Sequence, residues 1–247
     1  MGRKKALRGS TALITGGARR LGRELALALA AEGVNIALHY LTSREEAENT
    51  CAAIIKSGVK AKTFGADLTD ERQYGQLVRR VESAFSARPD ILINNASIFL
   101  ADTLKTVGFE SLREHMLVNA WVPFVLTREF SRGAEHGKII NILDSKISGF
   151  DWHHVGYILS KHVLHVLTEM TALALAPRIT VNAIAPGLVL APAGRDEQYL
   201  EKLAAKVPLG RHGDAQDVVD AALYLLKSDF LTGQVIYVDG GRHLTRA

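Results

Sequence analysis

Short runs of aliphatic and β-branched residues alternate with longer helical patterns along the whole chain, and this alternation restricts the fold more than any other feature. ALIT (12–15) precedes a helical stretch over Leu21 to Ala31, and VNIALH (34–39) precedes one over Ser43 to Ser57. The rhythm continues through AKTF (61–64), ILIN (91–94), KIINIL (138–143), ITVNAIA (179–185) and QVIYVDG (234–240), which makes seven strands. Strands separated by helices of this length run parallel, because the chain must cross back before it pairs again. The expected fold is α/β: a single-domain, doubly wound, seven-stranded parallel sheet with helices on both faces, and ligands belong at the carboxyl ends of its strands.

Composition removes several classes of partner. With 247 residues, 47% of them hydrophobic, residues 1–247 can bury one full core as one domain. Lys and Arg (30) nearly balance Asp and Glu (26), which speaks against a nucleic-acid surface. The longest apolar candidate, Leu25 to Ala31, is far short of the ~18 residues of a spanning helix, so no membrane partner is expected. The single Cys51 fits a reducing, cytoplasmic setting. The leader 1–9, with Arg3, Lys4, Lys5 and Arg8, reads as a flexible basic terminus rather than a secretion signal. Residues 187–210 read as a substrate lid containing a short helix from Asp196 to Lys206.

Two helices depart from simple amphipathicity. Tyr157 to Ala176 carries Ile158, Leu159, Val163, Leu164, Val166, Leu167, Leu173 and Leu175, more apolar surface than one sheet can cover, so a subunit interface is expected there. Phe109 to Arg128 contains Pro123, which should kink it or cost it a hydrogen bond.

Strand one runs into Thr15-Gly16-Gly17-Ala18-Arg19-Arg20-Leu21-Gly22, whose following helix can aim free amides at a phosphate. A Gly-rich loop also serves plain turns, but its place after the first strand suits a Rossmann-type nucleotide site. Arg20 stands where a glycine is expected. Strand two ends in His39-Tyr40-Leu41-Thr42-Ser43-Arg44, with no carboxylate to accept from an adenosine ribose. Arg20, Ser43, and Arg44 or His39 are candidate ligands for a 2′-phosphate, which points to NADP(H); the bland alternative is a solvated turn. Tyr157 and Lys161 lie four apart on one helical face, where a cation beside a phenol lowers its pKa toward working pH. His153, His154, His162 and His165 lack the carboxylates or cysteines of a ligand set, so no metal is expected and they read as helix-surface or subunit-contact residues.

TGGARRLG, Asp67, NNAS (94–97), Asn119, Tyr157 with Lys161, and Pro186-Gly187 together resemble a short-chain dehydrogenase/reductase over almost the whole chain. Within that superfamily, Arg20, HYLTS (39–43), Phe99, Asp144 and the ending VDGGRHLTRA resemble pteridine reductases. The resemblance implies that Gly16, Arg20, Leu21 and Gly22 hold the cofactor phosphates, with Ser43 near the 2′-phosphate and His39 and Tyr40 among the cofactor-binding residues. It implies that Asp67 meets the adenine and that Leu68, Asn95, Ala96, Ser97, Pro186 and Gly187 lie along the cofactor. Tyr157 and Lys161 would then act on the proton and the nicotinamide ribose, Asn119 would support a relay through water, and Phe99, with Ser97, Asp144 and Tyr157, would meet the substrate. It also implies a homo-oligomer, a tetramer, with Arg246 approaching a neighbour's site. A serine usual to the superfamily is replaced by Asp144, thirteen residues before Tyr157, which suits protonation of a ring nitrogen in a pterin or folate. Two alternatives stand beside this: Asp144 is a loop hydrogen-bonder, or Ser145 takes the serine role. A carbonyl or 3-oxoacyl-thioester reductase and a non-catalytic NADP(H) sensor are the rival functions.

Overall fold

The seven parallel strands occur where the aliphatic runs place them, each shifted by no more than a residue or two at its ends. In the computed structural model, which describes residues 7–191 and 196–245, they are β1 (Thr11–Ile14), β2 (Asn35–Tyr40), β3 (Ala61–Gly65), β4 (Ile91–Asn94), β5 (Gly137–Ile142), β6 (Ile179–Pro186) and β7 (Val235–Val238). They form one sheet in the order β3-β2-β1-β4-β5-β6-β7, every pair parallel. Ile14 of β1 sits opposite Leu38 of β2 on one side and Ile93 of β4 on the other. The winding direction reverses between β1 and β4, which opens a crevice at their carboxyl ends.

Among the described residues the helices are α1 (Arg20–Ala31), α2 (Arg44–Lys56), α3 (Glu71–Tyr74), α4 (Leu77–Phe85), α5 (Phe109–Met116), α6 (Val122–Ser131), α7 (Val155–Leu175), α8 (Glu197–Ala204) and α9 (Ala215–Lys227). Alternate strand residues feed two cores. Ile14, Ile36, Leu38 and Ile93 pack with Leu25, Leu29, Ile54 and Leu225 from α1, α2 and α9. Leu13, Ala37, Leu92 and Val181 pack with Val78, Leu126, Phe130 and Ala172 from α4, α6 and α7. A sheet buried on both faces is why its strands read as continuous aliphatic runs rather than alternating ones.

The expected single helix from Phe109 to Arg128 is instead two. Between α5 and α6 the chain widens into a π-helical turn, Leu117–Trp121, in which the N–H of Val122 reaches back five residues to the Leu117 carbonyl. Pro123, at the start of α6, has no N–H to give the carbonyl of Asn119. The residue that weakens the ladder thus marks where it changes pitch. The lid helix is shorter than expected, α8 running Glu197–Ala204 with the Asp196 carboxylate accepting the N–H of Tyr199. The leader residues Arg3, Lys4 and Lys5, the lid residues 192–195 and Arg246 lie outside the described residues.

Candidate active site

Four loops at the carboxyl ends of β1 to β4 are laced together by side chains. Thr15 Oγ1 accepts the N–H groups of Asn95 and Ala96, both at 3.0 Å. Asn95 Nδ2 donates back to the carbonyls of Thr15 (2.9 Å) and Gly16 (3.0 Å). Gly16 needs its positive φ of 62° for this turn, and a Cβ on Gly22 would collide with the Gly16 carbonyl, so the loop and the first turn of α1 can close only as glycines.

Arg20 takes the glycine-like backbone that its position demands, with φ 54°, and its guanidinium donates to the Ala191 carbonyl at the foot of the lid. The left-handed conformation costs an ordinary residue ~1 kcal/mol or more. An arginine in this strained conformation beside the Gly-rich loop is a functional candidate in its own right.

His39 departs from its expected role. It is buried, its Nδ1 accepts the Gly16 N–H (3.1 Å), and its Nε2 therefore carries the proton and donates to the Ala66 carbonyl (3.0 Å). With both nitrogens occupied it cannot hold a phosphate; it ties the loops after β1 and β3 to β2. Burial pushes its pKa down from 6.5 to about 4. The fold therefore keeps His39 neutral while the unfolded chain takes up a proton as pH falls below about 6.5. Its contribution is intact above that pH and lost progressively down to about pH 4, on the order of 3 kcal/mol in all. Urea unfolding followed across this range should show that slope in the wild type and a flatter one in His39→Gln. Arg44 likewise turns away from the crevice, ion-paired to Glu48 at 2.8 Å on the exposed face of α2.

A groove of about 410 Å³ runs along these loops. Gly16, Arg20, Leu21, Gly22, His39, Tyr40, Ser43, Asp67, Leu68, Asn95, Ala96 and Ser97 all line it. Asp67 is held by its own turn, Oδ1 accepting the N–H and the hydroxyl of Thr69 (both 2.8 Å). Pro186 ends β6, and the Gly187 N–H donates to Val238 beside it, away from this groove.

The groove meets a second constellation through Ser97, whose hydroxyl donates to Asn119 Oδ1 at 3.1 Å. The Asn119 side chain is fully engaged: Oδ1 also accepts the Ile98 N–H, while Nδ2 donates to the Ile98 carbonyl and to Ser160 Oγ. It is fully buried. The side chain thus clamps the loop leading to Phe99, which leaves the backbone carbonyl, deprived of an i+4 donor by Pro123, as the Asn119 atom a water relay could use. That loop is pinned twice more, by Leu100 N–H to His115 Nε2 (3.3 Å) and by Asp102 Oδ1, which accepts the Gly156 N–H at the start of α7 (3.0 Å).

Tyr157 and Lys161 share one face of α7, as their spacing requires. The Tyr157 hydroxyl donates to Asp144 Oδ2 at 3.0 Å, and Asp144 Oδ1 accepts the Lys146 N–H (2.8 Å), capping the 3-10 turn Ser145–Ser148. Asp144 is therefore both the loop hydrogen-bonder and the phenol's partner, while Ser145 is buried near Gly187. Lys161 Nζ donates to the Ile142 carbonyl (2.8 Å) and sits 5.6 Å from the centre of the Tyr157 ring. The expected lowering of the phenol pKa by Lys161 is reversed: burial, then the Asp144 carboxylate, hold Tyr157 well above its ordinary 10. Lys161 itself is pushed down to about 8 by burial.

Sequence reasoning also misplaced His154. It is no outer-surface residue: its ring stacks on Phe99 (centroids 3.9 Å, interplanar 17°), and Phe99 meets the Tyr157 ring edge-on at 4.6 Å. Asp102, His115, Lys146 and Asp151 escaped notice as well, and only the Asp151-x-x-His154 spacing just ahead of Tyr157 offered a local signal.

A doubly wound sheet with a Gly-rich crevice at its reversal point and a tyrosine, lysine and carboxylate beside it defines a dinucleotide-binding α/β oxidoreductase. Residues 16–243 match the family model described as enoyl-(acyl carrier protein) reductase. An uncharacterized oxidoreductase of Bacillus subtilis, YhdF, is 32% identical over 97% of this chain and 85% of its own length. The 3-oxoacyl-acyl-carrier-protein reductase FabG of Staphylococcus aureus is 30% identical over 95% of this chain and 98% of its own. The crystal structure of FolM alternative dihydrofolate reductase 1 from Brucella canis, complexed with NADP, superposes with a TM-score of 0.92 at 31% identity, covering 98% of this chain and 97% of that one. The chain belongs to the short-chain dehydrogenase/reductase family, and it is an NAD(P)-dependent reductase of that family.

Proposed function

We propose that the protein is an NADPH-dependent reductase of dihydropterin or dihydrofolate-type substrates. The observation that carries the substrate class is the 3.0 Å bond from the Tyr157 hydroxyl to Asp144 Oδ2. Reduction of a C=N bond adds a hydride to carbon and a proton to nitrogen, and a phenol paired with a carboxyl group can hold and replace that proton. The likeness to the NADP-complexed FolM alternative dihydrofolate reductase supports the same reading. A 3-oxoacyl-thioester reductase is the second reading, favoured by the likeness to FabG. It accounts less well for a carboxylate, rather than a hydroxyl, facing Tyr157.

The groove suits NADP(H) in the chemistry of its donors: glycine-loop amides and the Arg20 guanidinium, with the turn Tyr40 to Ser43 offering no carboxylate. When bound, the dinucleotide supplies the hydride. Tyr157 delivers the proton from its hydroxyl, Asp144 returns one from solvent, and the Lys161 cation opposes the charge left on the phenol oxygen. Phe99 lays its ring beside Tyr157 as a platform for a flat substrate.

Four substrates offered side by side with NADPH decide between the readings: dihydrobiopterin, dihydromonapterin, dihydrofolate and an acetoacetyl thioester. Faster reduction of the thioester than of every pterin and folate would sink the first. For the cofactor, Arg20→Ala is expected to weaken NADPH roughly ten- to a hundredfold and NADH far less, the worth of a charged phosphate contact. Equal wild-type efficiency with both dinucleotides contradicts this.

The protein acts as a homo-oligomer in the same reading, a tetramer by family resemblance, in a cytoplasmic setting that suits the free, buried Cys51. No described helix is long and apolar enough to cross a membrane. Leu159, Val163, Val166, Met170 and Leu173 form an exposed stripe along α7, spaced alternately four and three residues apart. Sedimentation of the wild type should give a multiple of the 26.9 kDa chain, and Val166→Glu with Met170→Glu should break it down. An active wild-type monomer at micromolar concentration contradicts the assembly.

A further inference from the structure

Asp151 and His154, immediately ahead of Tyr157, take no part in the proposed proton transfer, yet both are engaged in a buried hydrogen-bond cluster. Asp151 is buried, its side chain only 3% exposed, and three donors converge on it: the Lys146 ammonium, the His153 N–H (2.9 Å) and His154 Nδ1 (3.0 Å). Burial alone would raise its pKa, but the Lys146 hydrogen bond and the neighbouring donors outweigh it and hold the carboxyl below its ordinary range. An ionised acceptor on Nδ1 keeps the proton there and sets the plane of the imidazole. That plane is the one on which the Phe99 ring lies, 17° from parallel.

Phe99 needs such support. Its neighbours are fixed by backbone bonds, Ile98 to Asn119 and Leu100 to His115, but those bonds leave the ring free to turn about its own side-chain torsions. Phe99 is 45% exposed, and the rings that meet it among the described residues are those of His154 and Tyr157. In the orientation that stacks on His154, the ring also meets Tyr157 edge-on, with centroids 4.6 Å apart and planes at 86°.

We propose that Asp151 and His154 form a brace that fixes the plane of the Phe99 ring, making His154 a positioning residue that sets selectivity for flat aromatic substrates over aliphatic ones. The inference rests on the reading of Phe99 as a stacking platform. An aromatic pair contributes roughly three- to tenfold to an equilibrium, which sets the size of the effect.

The test compares the wild type with His154→Ala and His154→Phe, each as the full chain with saturating NADPH. Substrates are dihydrobiopterin and a matched pair of ketones, one aromatic and one aliphatic. His154→Ala is expected to raise KM about tenfold for the flat substrates and to leave the KM of NADPH and the aliphatic ketone within about twofold. His154→Phe, which restores a stacking ring, should recover most of the loss. Crystal structures should show the Phe99 ring in one plane in the wild type and His154→Phe and turned in His154→Ala. Equal losses on flat and aliphatic substrates, failure of phenylalanine to rescue, or an unmoved Phe99 ring in His154→Ala would each overturn the brace. A wild type that ignores dihydrobiopterin but reduces ketones removes the pterin reading alone, and the ketone pair and the Phe99 ring still test the brace.

Discussion

Tyr157→Phe is expected to lose turnover by a factor of ~10² to 10⁴, the usual cost of removing a positioned general acid, with NADPH affinity nearly unchanged. The substitution removes one oxygen and leaves the ring that packs against Phe99 and over Lys161. The same mechanism sets a pH dependence. Lys161, with its pKa pushed down to about 8, is a cation below that value and neutral above it. Because a buried phenol held above its ordinary value is a reluctant donor, the cation is needed to receive the charge that donation leaves behind. The rate should therefore fall as pH rises through about 8. Stopped-flow hydride transfer beside equilibrium NADPH fluorescence separates the two quantities, and near-normal turnover in Tyr157→Phe would move the proton donor elsewhere. Loss of the wild type's own turnover on every substrate, with NADPH still bound, would instead favour a sensor of the dinucleotide.

Asp144→Ala should be nearly as damaging for a dihydropterin, again ~10² or more, and Ser145→Ala should do little. Two causes add in the first case. The alanine can neither hold nor pass a proton, and it removes the carboxylate oxygens that order both the Tyr157 hydroxyl and the Lys146 N–H. Asp144→Ser separates the chemistries further, since a hydroxyl suits a carbonyl oxygen but lacks the carboxyl group that takes a proton from solvent and returns it to Tyr157. A Ser145→Ala enzyme that loses thioester reduction while Asp144→Ala keeps it would assign the site to carbonyl chemistry.

The parts of this molecule that could be read from the chain are those governed by local period and spacing. Seven aliphatic runs became seven strands because both sheet faces are buried, and Tyr157 and Lys161 share a face because a helix repeats every 3.6 residues. The parts that could not be read depend on residues far apart in sequence. Asp102 caps α7 from 54 positions upstream of Gly156, and His39 reaches back 23 positions to Gly16. The direction of the Tyr157 pKa follows the same rule. The lysine four residues away was visible, but burial and the Asp144 contact, which decide the outcome, belong to the folded chain. Pro123 announced a disturbance without saying that the helix would widen to a π-turn.

The lacing of the glycine loop has a thermodynamic consequence. Thr15, Gly16, Asn95 and His39 already hold one another through bonds within the chain, so the loop's conformational entropy has been given up during folding. A dinucleotide arriving there meets a rigid rim and has little chain left to order, which leaves more of its contact energy to appear as affinity. Loosening a tether at His39 or Asn95 therefore taxes binding from beneath the groove, through added disorder of the free protein.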